Sequence, residues 1–145
     1  MMIRKAEIQD LGALAALACR LWPDHRVDEM EAAYAPMVSN PDAAFFLAFS
    51  EDTAVGFAQC QLRFDYVEGT GSSPVGYLEG IYVAEGFRKQ GISKVLLAAC
   101  ESWAKAKGCT EFASDCELTN TESLRFHLRV GFEEENRIIC FTKKL

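Results

Sequence analysis

One stretch limits what this chain can become more than any other: Leu78-Glu-Gly-Ile-Tyr-Val83, followed by Phe87-Arg-Lys-Gln-Gly-Ile-Ser93. An apolar run, a short turn, a loop of Arg, Lys and Gly, and then a helical pattern predict strand, loop and helix in that order. Such an order builds an anion site. The first N–H groups of a helix have no intrahelical acceptor, and the helix dipole puts partial positive charge there. Arg88 and Lys89 add full charges, and Gly91, lacking a Cβ, lets the main chain approach a phosphate. The pattern therefore suggests a nucleotide-type cofactor. Neither G-x-G-x-x-G nor G-x-x-x-x-G-K-[ST] occurs in the chain, so a dinucleotide site or a P-loop is not indicated.

The rest of the chain supplies a scaffold for that unit. Ile3 to Ala6 reads as a short strand. Asp10 is placed to cap a helix to about Leu21, with Leu11, Leu14, Ala15, Ala18 and Leu21 on one face. Pro23 ends it, and a second helix is expected over about Val27 to Val38, with Pro36 weakening its end. Ala44 to Ser50 and Ala54 to Phe64 read as paired strands around Glu51-Asp52. After a polar loop from Asp65 to Pro74 comes the strand Val75 to Val83. Gly91 to Lys107 is the clearest helix, because Ile92, Val95, Leu96, Ala99 and Trp103 recur at helical spacing. Glu111 to Ser114 reads as a strand, and Thr119-Asn-Thr-Glu122 has the capping-box form that opens a helix to about Arg129. Phe132 to Glu134 and Arg137 to Thr142 are expected to close the chain as a hairpin. Strands in a meander, then strand–helix–strand–helix–strand, predict one mixed α/β domain over residues 1–145.

Charge and cysteines narrow the function. A formal net charge of -6 disfavours nucleic acid, whose phosphates want a broad basic face. It is compatible with a cationic substrate, while charge alone favours plain solubility. The six cysteines are scattered with no C-x-x-C pair, and only His25 and His127 could assist, so no metal is expected. The first residues lack the apolar core of an export signal, and no apolar run approaches membrane-span length. A cytoplasmic protein with reduced thiols is the expectation.

The Arg88-Lys-Gln-Gly-Ile-Ser93 loop resembles the Q/R-x-x-G-x-G/A signature of the GCN5-related N-acetyltransferases, the GNAT superfamily, with Ser93 in place of the usual Gly or Ala. The later Asn120…Gly131-Phe132 segment is similar to that family's second cofactor-side motif. Five further blocks resemble the short chromosomal subgroup of aminoglycoside 6'-N-acetyltransferases: Leu21-Trp-Pro-Asp-His25, Asp65-Tyr-Val-Glu-Gly-Thr70, Ser73-Pro-Val75, Leu78-Glu-Gly-Ile81 and Glu111-Phe-Ala-Ser-Asp115. The resemblance covers essentially the whole length. It implies a mostly antiparallel sheet with helices on both faces, and a splayed parallel strand pair that binds acetyl-CoA. It also implies a homodimer that often shares C-terminal strands.

The resemblance assigns roles residue by residue. Main-chain groups of Ile81, Tyr82 and Val83 would face the pantetheine and thioester. Arg88, Lys89, Gln90, Gly91, Ile92 and Ser93 would hold the pyrophosphate, and Asn120 would contact the pantetheine arm. Trp22, His25 and Tyr66 match positions on the substrate side, Trp22 as a flat face for a sugar ring. Glu79 and Asp115 match ligands of the substrate amine.

Acyl transfer to an amine needs the neutral amine, so the site must bind a cation and then accept a proton. A carboxylate inside an apolar strand, as at Glu79, is costly unless balanced. Glu79 is expected as the base, through water, and Asp115 as the anchor, an assignment that could be reversed. The competing reading for both is an ion pair with Arg or Lys. Many acetyltransferases carry a Tyr that protonates the leaving thiolate; His127 stands at that place here, as either that acid or a structural histidine. The subgroup tends to have Glu where this chain has Asn136, which bears on substrate range; if the segment is a strand, Glu135 points to its opposite face. The leading function is aminoglycoside 6'-N-acetylation by direct transfer in a ternary complex. The alternatives are acetylation of another primary amine (polyamine, amino acid or peptide) and non-catalytic acyl-CoA binding.

Overall fold

A stretch such as Ala43-Ala-Phe-Phe-Leu-Ala-Phe49 has no polar face, so it must be a strand covered on both sides. The computed structural model, which describes residues 1–145, puts it at that place. The elements are β1 (Met2–Lys5), α1 (Leu11–Leu21), α2 (Val27–Val38), β2 (Ala43–Ser50), β3 (Thr53–Arg63), β4 (Val75–Val83), α3 (Ile92–Ala106), β5 (Phe112–Ser114) and α4 (Thr121–Arg129). The strands form one sheet in chain order, β1-β2-β3-β4-β5. The first three pairings are antiparallel, and β4 runs parallel to β5. No helix is long and apolar enough to cross a membrane.

Two apolar layers flank the sheet. On one face, Phe45, Leu47 and Phe57 pack against Leu14, Ala15, Leu17 and Ala18 of α1 and Met30 and Tyr34 of α2. On the other, the smaller Ala44, Ala48, Ala58 and Cys60 make room for Ile92, Leu96, Leu97 and Cys100 of α3. Burying each large apolar side chain contributes about 1.5–3 kcal/mol. Large residues on one face and small ones on the other let α3 lie close to the sheet.

A register shift positions the site. Gln59 pairs with Gly80 but Cys60 pairs with Leu78, so Glu79 is the extra residue of a β-bulge in β4. A bulge re-aims side chains. Before it, Leu78 faces α3; after it, Ile81 and Val83 face α3 while Tyr82 joins the α1–α2 layer. The pairing of β4 with β5 covers only Gly76↔Phe112, Tyr77↔Ala113 and Leu78↔Ser114. From Glu79 onward the two parallel strands part.

Three expectations are corrected. Asp10 does not cap α1 with its side chain. Its carboxylate is taken by Arg4, through Nη1 at 2.7 Å and Nη2 at 2.8 Å, and by the Glu7 amide. The arginine stabilises a charged group more than a helix amide would. α4 is capped by Asn120, whose Oδ1 accepts from the Ser123 amide at 3.1 Å, and not by Thr119. The closing hairpin over 132–134 and 137–142 does not form: residues 132–145 contain no strand. Ile138, Ile139 and Phe141 are 65%, 80% and 86% exposed there. Their apolar pattern makes a strand only when a neighbouring strand is present to bond it.

Candidate active site

The parting of β4 and β5 leaves one edge of β4 without a strand neighbour from Glu79 to Val83, while its other edge stays bonded to β3. The loop that follows is a nest of amides. Lys89 and Gly91 have φ of 62° and 80°, which turns successive N–H groups to one side. From Lys89 to Lys94 no main-chain N–H donates to a main-chain acceptor, and no side chain caps α3. A Cβ placed on Gly91 would meet nothing within 4 Å, so the approach to these amides is open. This concavity beside a strand edge fits a pyrophosphate with an extended arm.

The side chains of the loop behave differently from its amides. Arg88 folds back onto β4: its Nε donates to the Val83 carbonyl at 2.8 Å, and its guanidinium lies 5.4 Å from the Tyr82 ring centre. Three residues expected at the cofactor thus meet one another, and the Val83 carbonyl is already engaged. Gln90, Gly91 and Lys89 are exposed, Ser93 is half-buried, and Ile92 is buried in the layer under α3. Asn120 spends its side-chain oxygen on the α4 cap.

The face of the sheet under α1 and α2 carries the remaining candidates. Trp22, at the end of α1, lies on Gly80, where a Cβ would come within 2.6 Å of Cη2. Its indole meets Phe57 edge-on, with ring centres 6.5 Å apart. Trp22 and His25 share an open cleft of about 500 Å³ with Glu29, Tyr34 and Gln59. His25 Nδ1 stands 4.0 Å from the Glu29 carboxylate. Tyr66 is not in this cleft. It is 74% exposed and lines a second hollow, of about 350 Å³, beside Arg63 and Asp65.

Glu79 has the ion pair of the competing reading, with an arginine that sequence reasoning did not name, whereas Asp115 pairs with no Arg or Lys and is bonded by a tyrosine. Arg63 Nη2 donates to both oxygens of Glu79, at 2.5 and 2.8 Å. The same guanidinium lies 3.4 Å above the centre of the Tyr77 ring. Tyr77 Oη in turn donates to Asp115 Oδ2. Burial first, and then this bond to Asp115, hold the Tyr77 phenol well above its ordinary pKa, so it remains a donor. The available signal was Arg63 at the end of the strand that pairs with β4, but without the bulge its side chain could not be assigned to the face of Glu79.

His127 sits beneath the split. Its Nδ1 lies 2.7 Å from the Ser123 carbonyl, which can only accept, so the proton is assigned to Nδ1. Nε2 then accepts from Ser114 Oγ at 2.8 Å, at the last paired residue of β5. At the rim, Asn136 Nδ2 donates to Glu68 at 2.9 Å. Glu111 accepts from Ser72 Oγ and the Gly71 amide, which hold its carboxyl below the usual range. No three His, Cys, Asp or Glu side chains gather to hold a metal ion.

Known proteins share this arrangement over its whole length. The chain is 41% identical to an aminoglycoside N(6')-acetyltransferase type 1 of Serratia marcescens, with 99% of each chain covered. It is 40% identical to the enzyme of that name from Salmonella typhimurium, again with 99% of each covered. It superposes on the aminoglycoside N-acetyltransferase AAC(6')-Iy, in complex with the bisubstrate analogue CoA-S-monomethyl-acetylneamine, with a TM-score of 0.95, 40% identity and coverage of 99% and 98%. Residues 11–132 match the model of the acetyltransferase (GNAT) family, and with its split strands and open amide loop the chain belongs to that family.

Proposed function

We propose that this protein transfers the acetyl group of acetyl-CoA to the 6'-amine of aminoglycosides, directly and within a ternary complex. The observation that carries the reading is the full-length likeness, near 40% identity, to enzymes of that name and to a structure holding a bisubstrate analogue. The placement of Trp22, Glu79 and Asp115 around the split of β4 and β5 supports it.

Acetyl-CoA supplies the acetyl group as a thioester. The amides from Lys89 to Lys94 receive its pyrophosphate, and free amides on the open edge of β4 polarise the carbonyl. Trp22 offers its ring to a sugar, with His25 and Tyr66 at the sides. Asp115 anchors the ammonium, and Glu79 accepts its proton through a water. The nitrogen lone pair then forms the C–N bond, the C–S bond breaks, and sulfur leaves with its electron pair. That sulfur takes its proton from water, because His127 is held by Ser123 through Nδ1 and by Ser114 through Nε2. Glu79→Gln keeps the fold and lowers kcat/KM; an unchanged value removes Glu79 from the base role.

A homodimer fits the exposed arm. Residues 132–145 present Ile138, Ile139 and Phe141 to solvent, and β5 offers its outer edge to a strand from a second copy. Sedimentation as a monomer at micromolar concentration would overturn this. All six cysteines are free, which suits the cytoplasm; recovery outside the soluble cell fraction would speak against it.

The test of function is a thiol-release assay with kanamycin, tobramycin and spermidine. Turnover only with the aminoglycosides supports the proposal. Turnover with spermidine alone indicates another primary amine as substrate. No turnover with any amine, together with retained CoA binding, leaves an acyl-CoA-binding protein.

A further inference from the structure

The two carboxylates of the substrate face are joined through two other residues. Arg63 bonds both oxygens of Glu79 and lies on the Tyr77 ring, and Tyr77 bonds Asp115. Arg63 therefore brings a fixed positive charge between the groups that would receive a substrate ammonium. A cation over an aromatic face, with that ring fixed by its own hydroxyl, is held in place from two sides. The carboxylate keeps lone pairs that Arg63 does not use, so a second cation can still bind there.

This arrangement changes the chemistry available to a bound amine. Glu79 and Asp115 alone would hold an ammonium strongly in its charged form, which cannot attack a carbonyl. A nearby positive charge opposes that. We propose that Arg63 is a positioning residue of the transfer reaction, whose charge between Glu79 and Tyr77 favours loss of the proton from the bound substrate ammonium to a water oriented by Glu79, and not directly onto the carboxylate that Arg63 already bonds. The inference rests on the acetyltransferase reading above.

The other charged or titratable groups near the site are few. His25 and Glu29 come from the α1–α2 side, and Asp65, Tyr66 and Glu68 from the loop after β3. Arg63 is bonded directly to Glu79, while Asp115 is bonded by the Tyr77 hydroxyl and by no cation. A like charge beside an ammonium disfavours its charged form, on the same order of about 1–3 units that an opposite charge produces in the other direction. The Arg63 side chain is 39% exposed, and solvent screening brings the expected shift to about one unit.

The experiment compares Arg63→Met, which keeps the length of the side chain without its charge, with Arg63→Lys, which keeps the charge. kcat and KM for kanamycin are measured from about pH 5.5 to 9.5, with urea unfolding and CoA affinity as controls. For Arg63→Met the rising limb of kcat moves about one unit to higher pH, because one unit is tenfold in the neutral fraction. At neutral pH kcat falls about tenfold and KM does not rise; Arg63→Lys restores the limb toward the wild-type position. A kcat profile for Arg63→Met that superposes on the wild type, with losses only in KM or stability, overturns the proposal. So does an Arg63→Lys protein whose limb stays with that of Arg63→Met. A wild-type protein that acetylates no aminoglycoside refutes the proposed function, and with it the premise; an active wild type with superposed profiles refutes the role of Arg63 alone.

Discussion

Gly80→Ala tests whether Trp22 serves substrate or only the core. A Cβ on Gly80 would stand 2.6 Å from Cη2 and 3.1 Å from Cζ2 of Trp22. Carbon atoms prefer about 3.5–4.0 Å, so the indole must move by about 1 Å. Overpacking of this kind costs about 1–3 kcal/mol, and replacing a glycine returns about 0.4–1 kcal/mol by limiting the unfolded chain. The net loss expected in urea unfolding is about 0–2.6 kcal/mol. A displaced indole also loses its edge contact with Phe57 and offers a sugar the wrong plane. Losing about 1.4 kcal/mol of that stacking raises KM for kanamycin about tenfold. CoA affinity, measured by calorimetry, stays unchanged because the amide loop is untouched. Fluorescence of Trp22, read in a Trp103→Phe background, reports the movement. A shifted emission with a KM within twofold of the wild type would refute the stacking role and leave Trp22 as core packing.

Two further predictions concern stability. Tyr34 is 3% exposed and its hydroxyl has no hydrogen-bond partner, so Tyr34→Phe should raise the urea midpoint by about 1 kcal/mol of stability; a decrease would mean that the hydroxyl has a partner in solution. The Arg4 guanidinium beside Asp10 holds its carboxyl below the ordinary range. The lowered folded-state value stabilises the protein above about pH 4, and that contribution disappears as pH falls through the folded value. Asp10→Asn should therefore be less stable than the wild type at neutral pH, with the gap closing below about pH 4. A gap that is constant from pH 7 to pH 3 would contradict the ion pair.

The fold was legible where patterns are local. α3 follows from the helical spacing of Ile92, Leu96 and Trp103, and the loop before it from its Arg, Lys and Gly. The site was legible as residue types but not as partnerships. Which face Glu79 takes depends on a bulge, and a bulge is a property of two strands in register, not of Leu78-Glu-Gly-Ile81 alone. Arg63 and Tyr77 were invisible for the same reason. The Asp10 cap failed because an arginine six residues earlier competes for the same carboxylate. The closing hairpin failed because the apolar run Ile138-Ile-Cys-Phe141 signals competence to pair, while pairing needs a neighbour that the single chain does not supply.

The sheet order β1-β2-β3-β4-β5 has a consequence for how the molecule is assembled. β2, β3 and β4 meet through short connections, and short connections close with little loss of chain freedom. The fifth reaches β4 only after α3 has been laid down between them. The β2–β3–β4 meander can thus mature first, while β1 joins across α1 and α2, and the half that would greet the cofactor is added by a closure resting on three paired residues. In an exchange experiment, amides of the meander should be the slowest to open and those of β5 the earliest. The cofactor cleft would then be the seam of this molecule, and filling it would fasten the last piece to close.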